Sequence, residues 1–185
     1  MANISEDLSS ALSSLVSGVG DVVATTRNVA KDTVVKTIQA GGDVANTSLD
    51  TASKVVLEGV SVASSTGVSV TQAATGLVAG AIEGVKEVGG DVSLTATQAA
   101  HGAVKGVSSV GGDVGEAAVS AVEGAIKAAH DIGADTGELA KDAVMGSLKA
   151  ADEIGSEAGG IVRKALLSAA ALPHDIIDAL LTGKS

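Results

Sequence analysis

The sequence predicts an all-α protein on three observations. Apolar residues recur with a helical period in units of eleven, the units pair into repeats of 22, and small residues stand where aromatic ones usually build a core. Asp91, Asp113, Asp135 and Glu157 lie 22 residues apart, each two residues after a glycine (Gly89, Gly111, Gly133, Gly155). Each opens a similar segment: DVSLTATQAAHGAVKGVSSVGG, DVGEAAVSAVEGAIKAAHDIGA, DTGELAKDAVMGSLKAADEIGS and EAGGIVRKALLSAAALPHDIID. Asp21 and Asp43 carry the same spacing earlier in the chain.

Each 22 divides into two elevens with consistent columns. Positions 2, 5, 6 and 9 are largely apolar, as in Val114, Ala117, Ala118 and Ala121, then Ala125, Ala128, Ala129 and Ile132. Charge gathers at positions 1, 4, 7 and 8, as in Lys127, His130 and Asp131. On a helix the apolar positions form one stripe of about 130 degrees, the width of an amphipathic helix. Eleven residues in three turns is about 3.67 per turn, so the stripe stays straight or drifts slightly right-handed. From Asp43 to Ser69 the spacing is 26 instead of 22. Four extra residues are about one helical turn, so phase is kept.

Two arrangements follow. In the leading one, long amphipathic helices run through the unit boundaries and pack as a bundle or extended assembly. In the alternative, antiparallel hairpins of about 18-residue helices are joined by Gly/Asp turns, because Gly before Asp, with Glu three residues later, is a C-terminal glycine followed by a capping box. Asp113 with Glu116 and Asp135 with Glu138 are the candidate caps. The chain divides into an N-terminal helix start (1–18), the repeat region (19–172) and a short C-terminal helix and tail (173–185). The last follows Pro173, which cannot continue the preceding helix.

Glycines are the candidate contact residues. Gly111 and Gly115, Gly133 and Gly137, and Gly155 and Gly159 form GxxxG pairs at successive boundaries, and Gly89 with Ser93 and Gly41 with Ala45 are small-residue versions. Inside a helix such a pair leaves a groove for a second helix; at a helix end it is turn chemistry. Gly76, Gly80 and Gly84 form a closer ladder that begins in the charge-free stretch from Gly59 to Ile82. Eight of its residues are Ser, Thr or Gln, which makes membrane insertion marginal.

Composition removes several function classes. The 185 residues include no Phe, Tyr, Trp or Cys, and the net charge is -10 with both signs spread along the chain. Nucleic acid then finds neither a basic patch nor stacking platforms, and thiolate metal sites and disulfides are excluded. The start of the chain carries Glu6 and Asp7 and does not read as a secretory signal; Ser5 reads as a helix N-cap. An intracellular place, with peripheral contact to a membrane or lipid surface as a variant, is the default expectation. His101, His130 and His174 lack the i, i+4 spacing of a helical metal site, and Gly18 and Gly20 make only an incomplete dinucleotide fingerprint. With no nucleophile elbow or phosphate loop, the chain reads as non-enzymatic, with no cofactor and no metal.

The segment AHGAVKGVSSVGGDVGEAAVSAVEGAIKAAHDIGAD resembles the 11-residue amphipathic repeats of the synucleins and of some late-embryogenesis-abundant proteins, and the doubled repeats of the exchangeable apolipoproteins. That resemblance is one of pattern: the KTKEGV core, the dense charge of desiccation proteins and the regular prolines of apolipoproteins are missing. It implies helices that bind lipid surfaces or shield apolar surface from water. The residues themselves favour a non-catalytic structural protein that self-associates through its Ala, Val and Gly face. A coat on a lipid or other hydrophobic surface is the alternative, and a stress or ice-surface protectant the weaker one.

Overall fold

A computed structural model describes residues 4–16, 20–41 and 44–182. Among these the chain is all-α: α1 (Ile4–Val16), α2 (Val22–Gly41), α3 (Val44–Thr66), α4 (Val70–Glu87), α5 (Val92–Ser109), α6 (Val114–Ile132), α7 (Thr136–Ile154), α8 (Ser156–Ser168) and α9 (His174–Thr182). Gly18, Asp43 and the Ala45 side chain lie outside the described residues.

The helices do not run through the unit boundaries. α4 and α5 have 18 residues, α6 and α7 have 19, and each is one 22-residue unit less its turn. The break is made by a left-handed glycine. Gly111 has φ +75°, a conformation that costs a glycine nothing, and the chain there closes two bonds back onto α5. Gly112 N donates to Val107 O at 2.9 Å and Gly111 N to Ser108 O at 3.1 Å. The same pair recurs at Gly90 with Gly89 and at Val68 with Gly67, and Ala134 N donates to Ala129 O at 2.8 Å after Gly133. The apolar columns continue across these breaks because every helix turns the same unit positions toward the core, not because one helix carries them.

Two residues after each such glycine an N-cap restarts the helix. The carboxylate of Asp91 accepts from Leu94 N at 3.0 Å, that of Asp113 from Gly115 N and Glu116 N at 2.8 and 3.0 Å, and that of Asp135 from Glu138 N at 2.9 Å. Ser69 does the same more weakly toward Gln72 N, at 3.4 Å. Each cap satisfies donors that the first turn leaves without helical partners. The last boundary departs from the pattern. α8 starts at Ser156 directly after Gly155, which provides no side-chain cap, so Glu157 lies inside the first turn instead of opening the unit. Ser5 likewise sits within the first turn of α1 and not ahead of it. α8 ends at Ser168, and Pro173 begins α9, its carbonyl accepting from Ile176 N and Ile177 N.

The helices form two layers. α2, α4, α6 and α8 make one and α1, α3, α5 and α7 the other. Each helix backbone packs only against those one or two places along the chain, and the largest contacts join helices two apart. Such nearest-neighbour contact is the logic of a stack, not of a closed bundle. Consecutive helices are antiparallel, as Gly59 against Leu77 across the α3–α4 turn records. Helices two apart are parallel: Gly76, Gly80 and Gly84 of α4 meet Val23, Arg27 and Lys31 of α2 in rising order.

This register locates the four-residue insertion. Arg27, Ser53, Thr75 and Thr97 play the same part in successive contacts, at spacings of 26, 22 and 22, so the extra turn precedes Ser53. It lengthens α3 to 23 residues without rotating its core face. The end of the charge-free stretch is explained by position. α4 touches α2, α3, α5 and α6, and every residue from Gly76 to Val85 is buried. A helix so covered has little face for charge, and the one carboxylate in that span, Glu83, is paired with Arg27. Among the described residues no helix is long and apolar enough to cross a membrane.

The core is alanine and valine with a few leucines and isoleucines, Leu8, Leu12, Leu77, Ile82, Leu139 and Leu166 being among the largest fully buried side chains. Space for so small a core exists because mid-helix glycines let backbones meet. Gly80→Ala is therefore expected to destabilise the fold by about 1–3 kcal/mol, since its methyl would collide with the Arg27 carbonyl oxygen. Gly160→Ala, on the exposed side of α8 with open space around it, is expected to stabilise by about 0.5–1 kcal/mol from helix propensity alone. Urea unfolding midpoints of the two variants decide this, and a stabilising Gly80→Ala would refute the close approach.

Candidate functional site

The feature that recurs through the molecule is a glycine at position 12 of the unit, counted from the N-cap. Gly80, Gly102, Gly124 and Gly146 lie 22 residues apart in α4, α5, α6 and α7. Each faces the backbone of the helix two places earlier: the carbonyl oxygens of Arg27, Ser53, Thr75 and Thr97 respectively. A Cβ on Gly102 would stand 2.7 Å from the Ser53 oxygen, and one on Gly124 2.5 Å from that of Thr75. No side chain larger than hydrogen fits. Gly76 and Gly84 extend the approach along α2, toward Thr26 with Val23 and toward Lys31 with Val34, and Gly106 extends it along α3, toward Val60.

The GxxxG pairs divide their labour. Their first members, Gly111, Gly133 and Gly155, are turn residues with positive φ and nothing near the side-chain position. Their second members are helical and touch another element. Gly115 meets Ala165 and Ile161 of α8, Gly137 meets Ile176 of α9, and Gly159 meets Asp152 of α7. Turn and contact are thus both present, one per glycine. Gly76, Gly80 and Gly84 are contact glycines within the chain. Beyond Gly80 the column at position 12 lies away from the unit boundaries, which set it apart from the candidate glycines. Its signal was the 22-residue recurrence of Gly80, Gly102, Gly124 and Gly146.

Charge pairs fasten the parallel helices along their rims. In one layer Arg27 of α2 reaches Glu83 of α4 at 2.6 Å and Asp131 of α6 at 2.7 Å, and Lys31 meets Glu87 at 2.9 Å. Glu83 is only 8% exposed, and Arg27 places a countercharge beside it. The hydrogen bond to Glu87 raises the Lys31 pKa. Asp131 is held below the usual carboxylate range by the hydrogen bond from His130 and by the charges of Arg27 and Lys127. In the other layer Glu153 of α7 accepts from Lys105 at 2.7 Å and lies 3.1 Å from His101 of α5, which lower its pKa in that order. Ser93 Oγ donates to Asp142 at 2.6 Å, and Glu138 is 3.4 Å from the same hydroxyl. The histidines therefore serve as rim partners at 101 and 130, while His174 stands exposed at the start of α9.

No family model, curated protein or solved structure matches this chain. What the arrangement can do is therefore argued from its own groups. Among the described residues no three His, Asp or Glu side chains are placed to hold a metal ion. The chemistry on display is association: backbones brought close by glycine, capped ends and paired charges between parallel helices.

Two outcomes follow. Asp113→Ala removes the acceptor for two amides and is expected to cost about 1 kcal/mol, read from the urea midpoint. Because the folded pKa of Glu153 is lowered, its stabilising effect is present above its unfolded value and lost as pH falls through the folded one. Glu153→Gln is thus expected to be less stable than the parent near pH 7, with the gap closing on titration toward about pH 2. A gap that widens on acidification would contradict the assignment.

Proposed function

We propose that this chain is a non-catalytic structural protein whose small-residue helices self-associate, first within the chain as a two-layer stack and then between chains as a larger assembly. The observation that carries this is the position-12 glycine column. It repeats one helix-to-helix contact four times along the chain, and a contact built by repetition has no intrinsic last member. Interior helices are covered on both sides, whereas α1 and α2 have a layer neighbour on one side only and the short α9 covers α7 and α8 only in part. Assembly extends the same contact.

The lipid-coat reading has less to support it. The apolar columns face one another, and the exposed large apolar side chains, Leu57, Leu94, Met145, Ile154, Ile161 and Leu167, are spread over α3, α5, α7 and α8. A lipid surface would have to unstack the helices to reach the broad apolar face that interfacial binding uses. Light scattering across a concentration series, with circular dichroism with and without neutral lipid vesicles, separates the two. The expected result is a mass that grows with concentration and a helicity that lipid leaves unchanged. A helical monomer that resists both dilution and concentration would remove the assembly function, and helicity gained only with lipid would replace it with the coat.

A further inference from the structure

We propose that the two end faces of the stack bind each other between copies: α1 of one chain docks on the part of α7 that α9 leaves open in the next, parallel to it and in the register of α5 on α3 within a chain. This rests on the assembly function above and names its interface. Within the chain, α3 offers a ridge at unit positions 7, 11 and 14 (Ser53, Leu57, Val60), and α5 covers it with glycines at positions 12 and 16 (Gly102, Gly106). Gly146 of α7 repeats this on Thr97 of α5. The same ridge on α7 is Lys141, Met145 and Leu148. Lys141 is exposed, Met145 is 50% exposed and Leu148 half-buried. An open cleft of about 540 Å³ runs beside Met145 and Leu148, bounded by Lys149, Asp152 and Arg163.

The complementary face is on α1. Counting in the same register, Ser10 and Ser14 occupy positions 12 and 16, 22 residues before Asp32 and Lys36. Both are exposed, on the side opposite the buried Leu8 and Leu12. Serine is the next smallest choice after glycine and alanine where a helix must approach closely without being exposed as a bare backbone in the free chain. With Ser10 above Lys141 and Ser14 above Met145 and Leu148, the α3–α5 register is repeated between chains, at the wider spacing that a serine side chain requires where Gly102 admits only hydrogen.

The second layer agrees in charge. Continuing the stack places α2 of the arriving copy beside α8. Asp32, exposed at position 12 of α2, then meets Arg163, at position 7 of α8, and its neighbour Lys164, both exposed. Both ends carry charges of both signs, and Arg163 already pairs with Asp152 at 3.5 Å, so the specific partner for Asp32 is Lys164. That pairing favours a second copy in this orientation over its reverse. α9 covers the first turn of α7, where Ile176 meets Gly137, so it competes with residues Ile4 to Asp7 of the arriving helix. Docking is therefore concentration-dependent. Because the two faces differ, the contact is heterologous and propagates as open chains of molecules.

A mixing experiment tests this. Met145→Arg spoils the α7 ridge and leaves α1 intact; Ser10→Arg spoils α1 and leaves α7 intact. Each is measured by sedimentation and light scattering from about 10 μM to about 1 mM, with helicity checked by circular dichroism. The parent is expected to grow beyond dimers, and each variant alone to associate more weakly by about tenfold or more. An equimolar mixture is expected to restore a one-to-one complex that goes no further, since only one good pair of faces remains. If either variant loses helicity, the charge swap of Asp32→Lys with Lys164→Asp reads the same interface: each alone weakened, the mixture or double variant recovered. Parent-like growth of Met145→Arg, or a mixture that stays monomeric while the parent assembles, overturns this interface and leaves the assembly function standing. A parent that stays monomeric to about 1 mM removes both.

Discussion

The structure depends on backbones approaching where glycine stands at position 12. A mid-helix glycine is a poor choice for an isolated helix, worth roughly 1 kcal/mol less than alanine. Its return here is geometric. With no Cβ at Gly80, Gly102, Gly124 or Gly146, each helix turns a Cα hydrogen toward a carbonyl oxygen of the helix two places earlier, the arrangement of a weak C–H···O contact. The larger gain is that neighbouring small side chains then reach one another. Alanine buries little area, and a core of Ala30, Ala73, Ala99, Ala103, Ala121 and Ala125 gains dispersion only when the interhelical gap is closed.

Close approach also fixes where the rest of the chemistry can stand. Parallel helices held at one register bring position 7 of one beside position 12 of the other along their whole length. Charged residues are therefore left to the rims, where they pair across helices two apart: Arg27 with Glu83, Lys31 with Glu87, Lys105 with Glu153. Among the described residues only one carboxylate, Glu83, is carried into the interior, and Arg27 spans three helices to hold it and Asp131 together. Surface pairs of this kind add little each, and their effect here is on register more than on total stability.

Much of the fold was legible because the repeat is a physical unit as well as a textual one. Helical class, unit length, the Asp113 and Asp135 caps and the phase-preserving insertion all follow from spacing that the structure keeps. Whether helices cross the boundaries was not legible from the columns. A 22-residue unit with its turn returns the same positions to the core whether or not the helix is continuous, so the periodic signal is alike in both cases. The deciding information lay in the paired glycines of GGD at 89–91 and 111–113, where the first takes a left-handed φ and the second a position hard against Val85 or Val107. The contact glycines were hidden for a different reason. In sequence, Gly124 and Gly133 look alike, and only the helix two places earlier distinguishes a residue that needs no Cβ from one that needs positive φ.

The chain's composition is then a consequence of stacking in two directions. α4 has neighbours on every side and carries no charge between Val70 and Ile82, while α2, with its outer face open, shows Asn28, Asp32 and Lys36 at the positions where α4 shows Gly76, Gly80 and Gly84. Position 12 is thus glycine in α4, α5, α6 and α7 and polar in α2, which leads its layer. α1 leads the other layer and is likewise polar there, but with the short side chains of Ser10 and Ser14, small enough to be covered and polar enough to stand in water. A leading helix meant only to face solvent has no reason to keep those two positions small. The serines are the point at which the repeat's internal logic reaches the surface of the molecule.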